Sequence, residues 1–388
     1  MTTSIRGIAA VACAAAGLLG APVASAQDTL KIGIIATLSG PGASSGLAVQ
    51  RGAQIAFDEI NASGGLVVGG KPLKITTTTY DDQMNPGQAK LAAERLINQD
   101  KVNIIFGPSG SPGALGSLPV TQPAKVLQFV DGYVSTILNN EWKGAYVFKV
   151  TNSNREFSDA MTKWVVQNLP KVKKVGMLAP NDAVGQSVVP VLTEAYKRQG
   201  IEVWIEYFER GTKEFTPLIL RMLSQKVDML ELNSNTPGDS GLLVKQSRQA
   251  GFRGEIMQTG GAGVEEIVNI AGPFAEGLMR YEMIDETRPE VKKFVDTYKS
   301  KYAEFNGPSP AWYNMAYMLA EAIRRAQSLD STRIRDEMEK LSDYKAPMFG
   351  PVVWTGLKEY GVAHQIFHSF VIREVKDGKA SVRATVTP

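Results

Sequence analysis

The chain has 388 residues, with 42 Lys and Arg against 39 Asp and Glu, two His and one Cys. A near-neutral balance with no basic run leaves no electrostatic footprint for nucleic acid. One cysteine excludes a disulfide framework, and the length exceeds what a single hydrophobic core usually holds, so two lobes are expected.

Residues 1–26 read as a secretory leader. Arg6 is their only charge, Ile8 to Leu19 is a short apolar core, and Ala24-Ser25-Ala26 is a small-residue cleavage site, with cutting expected after Ala26. A membrane-spanning helix fits less well, because the apolar core is short and Pro22 interrupts it. Cys13 lies inside this leader, and a lipid anchor there is a poor reading, since Ala10 stands three residues before it. The chain that remains contains no thiol, which suits folding in a bacterial periplasm. It also contains no second apolar stretch long enough to span a bilayer, so no direct membrane insertion is expected after cleavage.

From Leu30 to Ala36 the residues after Lys31 are almost all apolar, as in a strand covered on both faces of a parallel sheet. A turn at Ser39-Gly40-Pro41 leads into a helix over 46–60 that aligns Val49, Ala53, Ala56, Phe57 and Ile60 on one stripe, ended by Asn61-Ala62-Ser63-Gly64-Gly65. Strands then read at 73–80, 102–106 and 126–130, with helices at 86–99 and from Pro112. A second set follows Val150, with helices at 155–169, 185–199, 216–225 and 239–250 between strands at 174–178, 202–208, 228–232 and 255–258. Such alternation implies parallel sheets with helices on both faces, hence an α/β fold of two doubly wound lobes. Residues 289–341 look helical, broken at Asn306-Gly307-Pro308-Ser309-Pro310, and β-runs at 351–354 and 366–375 follow. The expected division is 27–150 with 282–349 in the first lobe, and 151–281 with 350–388 in the second.

In open α/β sheets ligands bind beyond the carboxyl ends of strands. Gly107 to Pro112 lies at such an end, and Ser111 followed by Pro112 reads as an N-cap with proline at the first helical position. The positive end of that helix suits a carboxylate. Serine catalysis is disfavoured, because Ser111 stands where G-x-S-x-G needs its second glycine. His364 and His368 lie four apart in a strand-like run, too far apart to chelate a metal comfortably, and Gly260-Gly261-Ala262-Gly263 is not a dinucleotide fingerprint. No metal and no cofactor are expected. Trp312, Tyr313 and Met315 read as helix core, and the charged run 333–340 as a solvated helix face.

The segments Gly33-Ile34-Ile35 through Ser39-Gly40-Pro41, Asn61 to Gly65, Tyr80-Asp81-Asp82 with Asn85-Pro86, Gly107 to Ser111, Glu214-Phe215-Thr216, Gln249-Ala250-Gly251, Ala275-Glu276-Gly277 and Phe349-Gly350-Pro351 occur in order along the chain. Together they resemble the type I periplasmic binding proteins of the branched-chain amino acid family, the capture components of ABC importers. The resemblance implies two lobes joined by three crossings, here near Val150, Tyr281 and Phe349. It also implies a small-molecule ligand in the cleft, hinge closure around it, an inner-membrane permease as partner, a monomer, and no enzymatic step. A periplasmic hydrolase on the same lobes ranks lower, since no histidine falls among the inferred cleft loops, and a receptor serving a sensor differs only in partner.

Residue by residue, the resemblance puts Ser109, Gly110 and Ser111 on the ligand's carboxylate and Gly132 on its backbone grip. Val134 stands where a threonine hydroxyl is usual, with Asp131 and Tyr133 beside it. In the second lobe Val184 replaces a tyrosine, and Asn233 and Asn235 stand where an aromatic is usual. The acid that pairs with an amino acid's ammonium falls on Gly260, and an ammonium buried without its partner costs roughly 3 to 5 kcal/mol. The expected ligand is therefore a small carboxylate or amide rather than an ordinary α-amino acid. The alternative is leucine, isoleucine or valine with Asp131, Asp182 or Glu231 as a relocated ammonium partner.

Overall fold

A computed structural model describes residues 28–387 except 40, 41, 133, 140, 210, 234, 261–263, 303 and 304. The leader with its cleavage site, and Tyr133, lie outside the described residues.

The first lobe begins with β1 (Thr29–Ala36), α1 (Ala43–Ala62), β2 (Leu66–Val68), β3 (Lys71–Asp81) and α2 (Pro86–Asn98). It continues with β4 (Ile104–Ser109), α3 (Ser111–Thr121), β5 (Leu127–Asp131) and β6 (Val147–Lys149). The chain then crosses into α4 (Asn154–Asn168), β7 (Lys174–Pro180), α5 (Ala183–Arg198), β8 (Glu202–Phe208) and α6 (Thr216–Ser224). After these come β9 (Met229–Glu231), α7 (Pro237–Gln249), β10 (Glu255–Gln258), α8 (Val264–Ala271) and β11 (Leu278–Glu282). Next stand α9 (Pro289–Tyr302), α10 (Ser309–Ala326), α11 (Ser331–Met338), β12 (Lys345–Ala346), β13 (Gly350–Thr355), α12 (Leu357–Tyr360) and β14 (Gln365–His368). The antiparallel ribbon β15 (Phe370–Lys376) and β16 (Lys379–Val386) follows.

Two sheets result, in the orders β12-β13-β14-β6-β5-β4-β1-β3-β2 and β16-β15-β11-β10-β9-β7-β8. Their centres are parallel, as the buried apolar runs require. Antiparallel strands close the edges at β2 against β3, β12 and β13 against β14, and β15 and β16 against β11. Both lobes are therefore mixed sheets, more than the alternation alone implies. In the first lobe, Ala53, Ala56, Phe57 and Ile60 of α1 and Ala311, Trp312, Met315 and Leu319 of α10 share one core with Ile34, Phe106 and Phe129. The ring of Phe106 sits 5.3 Å from Phe57 and 6.1 Å from Trp312. The late helices thus return to the first lobe.

The third crossing differs from the expectation. Strand β13 pairs with β14, whose Gln365 pairs in parallel register with Lys149 of β6, so 350–368 belong to the first sheet. The chain crosses at Ser369, between β14 and β15, and not at Phe349. An apolar run announces a strand but carries no signal for which of two sheets takes it. Side chains bind the first and third crossings to one another. Asn152 Nδ2 donates to the His368 carbonyl oxygen at 3.0 Å and its Oδ1 accepts from the His368 N–H at 2.9 Å, while Gln365 Nε2 donates to the Thr151 carbonyl oxygen at 2.8 Å.

Candidate ligand cleft

A cavity of about 380 Å³ opens between the lobes. Its walls come from the end of β5 (Asp131), the first crossing and α4 (Thr151, Asn152, Asn154, Phe157), the loops after β7, β9 and β10, the end of β11 (Tyr281, Glu282, Met283), and Gly307 with Pro308. These are the carboxyl ends of strands in both sheets, where the topology leaves a crevice.

Five of the expected site residues share this cavity: Asp131, Val184, Asn233, Asn235 and Gly260. Ser109, Gly110, Ser111 and Gly132 border Asp131 without lining it. The Gly110 N–H donates to the Asp131 carbonyl oxygen at 2.6 Å, and Gly132 lies so close to Ser111 that a Cβ there would stand 3.1 Å from Ser111 Oγ. Ser111 is not the N-cap. Gly110 holds that position with φ +94°, a conformation that glycine adopts without strain, so the helix starts at Ser111 itself. The Ser111 hydroxyl accepts from the Val134 N–H at 3.4 Å.

The cavity wall carries two carboxylates. Asp131 Oδ1 accepts from Thr151 Oγ1 at 2.7 Å. Burial pushes the Asp131 carboxyl up, against the Thr151 hydrogen bond and the charge of Lys149. Lys149 is itself buried at the end of β6, which pulls its ammonium down to about 8 against the fields of Glu156 and Asp131. Glu282 has a parallel arrangement. Burial raises its carboxyl, and the fully buried Arg280 behind it, with Nη2 3.3 Å from Glu282 Oε1, opposes that rise. Among the described residues lining the cavity there is no Lys, Arg or His.

The two other acids considered as ammonium partners are occupied elsewhere. Glu231 is wholly buried and accepts from Tyr196 Oη at 2.9 Å and from the Thr259 N–H and Oγ1, each at 2.8 Å. Burial lifts it to about 7 in spite of those donors. Asp182 caps α5 through the Val184 and Gly185 N–H groups. Neither lines the cavity. Gly260 has φ +89°, and a Cβ there would meet Phe157 Cζ at 3.3 Å and Asn233 Oδ1 at 3.4 Å.

The histidines have structural partners. His364 Nε2 lies 2.8 Å from Glu339 Oε1. His368 stacks on Phe349 at 3.6 Å, and burial holds its imidazole down to about 4. Sequence reasoning missed Thr151, Asn152, Asn154, Phe157, Val188, Tyr281, Glu282, Met283, Gly307 and Pro308. The polar run 151–154 straight after a buried strand was the available signal for the first of these. Glu282, placed at the end of a strand that sequence patterning did not mark, had none.

A cleft between two α/β lobes with parallel-centred sheets, lined from strand ends on both sides and bridged by three crossings, defines the solute-binding proteins. A family profile described as "Periplasmic binding protein" matches residues 29–380, and the chain belongs to that family. It is 26% identical over 318 residues to the leucine-, isoleucine-, valine-, threonine-, and alanine-binding protein of Pseudomonas aeruginosa, covering 81% of this chain and 83% of that one. To the leucine-specific-binding protein of Salmonella typhimurium it is 24% identical over 364 residues, 91% of each. The crystal structure of the branched-chain amino acid transporter substrate binding protein LivJ from Streptococcus pneumoniae, in complex with isoleucine, superposes with a TM-score of 0.71 at 25% identity, over 93% of this chain and 99% of that one. Members of the family are solute-binding proteins of ABC transporters, and no helix among the described residues is long and apolar enough to cross a membrane.

Proposed function

We propose that this chain is exported, cleaved after Ala26, and works in the periplasm as a monomeric receptor that delivers a small solute to an inner-membrane permease without chemistry of its own. The solute presents a hydrogen-bond donor, as a primary amide or an ammonium, to Asp131 and Glu282. Its acyl end, a carbonyl or carboxylate, turns toward Ser109, Gly110, Ser111 and Gly132 at the positive end of α3. The observation that carries this reading is the charge of the wall: two carboxylates, and no cation among the described residues that line it. A bare carboxylate ligand would meet like charge there, whereas an amide is neutral and an amino acid brings its own cation.

The absence of an acid at Gly260 favours the amide. The two acids elsewhere on the wall and the names of the relatives favour a second reading, a neutral α-amino acid whose ammonium rests on Asp131 or Glu282. A thermal-shift panel of branched-chain amino acids, aliphatic amides, keto acids and aromatic acids tests both, because a bound ligand raises the melting temperature with its concentration. Stabilisation by amides or amino acids is expected. A preference for keto acids or aromatic acids contradicts the charge reading, and turnover of any ligand contradicts the receptor reading.

A further inference from the structure

The loop after β9 carries a feature that the charge of the cleft does not account for. Asn235 lines the cavity yet is only 5% exposed. Its Nδ2 donates to the Leu178 carbonyl oxygen at 3.0 Å, which fixes the amide plane and commits its donor to the end of β7. Its Oδ1 is buried and has no hydrogen-bond partner among the described residues. An asparagine that only shapes a turn or caps a helix does so through this oxygen. Here Thr236 caps α7 instead, and the Asn235 oxygen is left over. Beneath it, the wholly buried Gln258 directs Nε2 to the Asn235 carbonyl oxygen at 3.4 Å, and Gln258 Oε1 likewise has no partner among the described residues. Buried acceptors in folded proteins are nearly always satisfied.

We propose that Asn235, positioned by Gln258, is the specificity-determining residue of the second-lobe wall and accepts a hydrogen bond from a hydroxyl or amide N–H at the end of the ligand remote from Asp131. This rests on the cleft being the solute site. Phe157, Val184, Val188 and Met283 on the remaining wall supply apolar contact for the middle of the solute. The ligand class is then a short hydroxylated or amide-bearing solute, in preference to a branched aliphatic one of the same shape. A site built to bond a polar group rejects the isostere that lacks it, because its own buried group is left unpaired.

Titration of the full chain with isosteric pairs tests this: threonine against valine, asparagine against leucine, and lactamide against isobutyramide. The polar member of a binding pair is expected to bind at least about tenfold more tightly, and Asn235→Leu is expected to bring the two within about threefold of one another. Equal or tighter binding of the apolar member by the wild-type protein overturns the proposal, and needs no variant to be folded. A polar preference that Asn235→Leu leaves intact overturns the assignment to this residue. If neither member of any pair binds at millimolar concentration, the solute-site reading falls and this proposal with it.

Discussion

The hinge side of the cleft and the second-lobe loops meet the same ligand with different means. On the hinge side stand Asp131 and Glu282, each with a buried cation behind it, Lys149 and Arg280. Beyond β7, β9 and β10 stand Val184 at the start of α5, two asparagines and a glycine, all neutral, while Glu231 of β9 is turned into the interior and sealed by Tyr196 and Thr259. Charge is thus confined to the residues that sit on or beside the crossings, where the main chain is tied by Asn152, His368 and Gln365. Among the described residues of those loops that line the cavity none is charged; Asp182, in the loop after β7, spends its carboxylate on the cap of α5. Burying an ion without a partner is costly, and each of the two wall carboxylates has a buried cation in its field before any ligand arrives.

Removing a backing cation is expected to have the largest effect. Arg280→Met leaves the Glu282 carboxylate without its partner, and loss of one member of a buried pair costs about 3 to 5 kcal/mol. Urea unfolding is expected to show a loss at the lower end of that range, because the Glu282 side chain retains 23% exposure. A neutral result would mean that Arg280 does not support the acid.

Next in size is the sealed acid. The Glu231 carboxyl stands at about 7 in the folded protein against an ordinary value of 4.5. A raised folded-state value means that the contribution to stability is complete below pH 4.5 and is lost as pH rises through 7. Relative to Glu231→Gln, the wild-type protein is expected to lose about 3 kcal/mol across that window. Urea midpoints measured every half pH unit check this, and parallel curves for the two proteins would refute it.

The smallest effect is expected at Gly260. Gly260→Ala puts a Cβ on a backbone with φ +89° and against Phe157, costing about 1 to 2 kcal/mol of stability and narrowing the cavity. Larger residues meet the same strain, so a glutamate placed there to restore an ammonium partner would distort the loop before it could pair. Calorimetric unfolding with no change in Gly260→Ala would show that the loop relaxes freely.

Much of this was legible in the sequence. Alternating β-runs and amphipathic stripes place β1, α1, β3, α2, β7, α5 and β8 within a few residues, because a helix stripe and a doubly covered strand leave distinct periodicities. The family resemblance picks out Asp131, Val184, Asn233, Asn235 and Gly260, which share one cavity, whereas the strand end at Gly107 to Pro112, read from the sequence pattern, does not line it. Three kinds of feature were not legible. The sheet that takes β13 and β14 depends on pairing Gln365 with Lys149 across more than half the chain, which no local pattern encodes. The start of α3 turned on the positive φ of Gly110, which shifts the cap by one residue. Of the acids, Asp131 lines the cavity as one of the expected alternatives, but whether Glu231 or Glu282 reaches it depends on which way a strand end faces, and a one-residue change of register exchanges the two faces.

Titration calorimetry with isobutyramide, valine and isobutyrate at neutral pH probes the charge of the cleft wall, since the three share a branched carbon frame and differ in charge. The charge of the cleft wall predicts that isobutyramide or valine binds, with isobutyrate weaker by at least about tenfold, or 1.4 kcal/mol. Isobutyrate binding more tightly than both would contradict it.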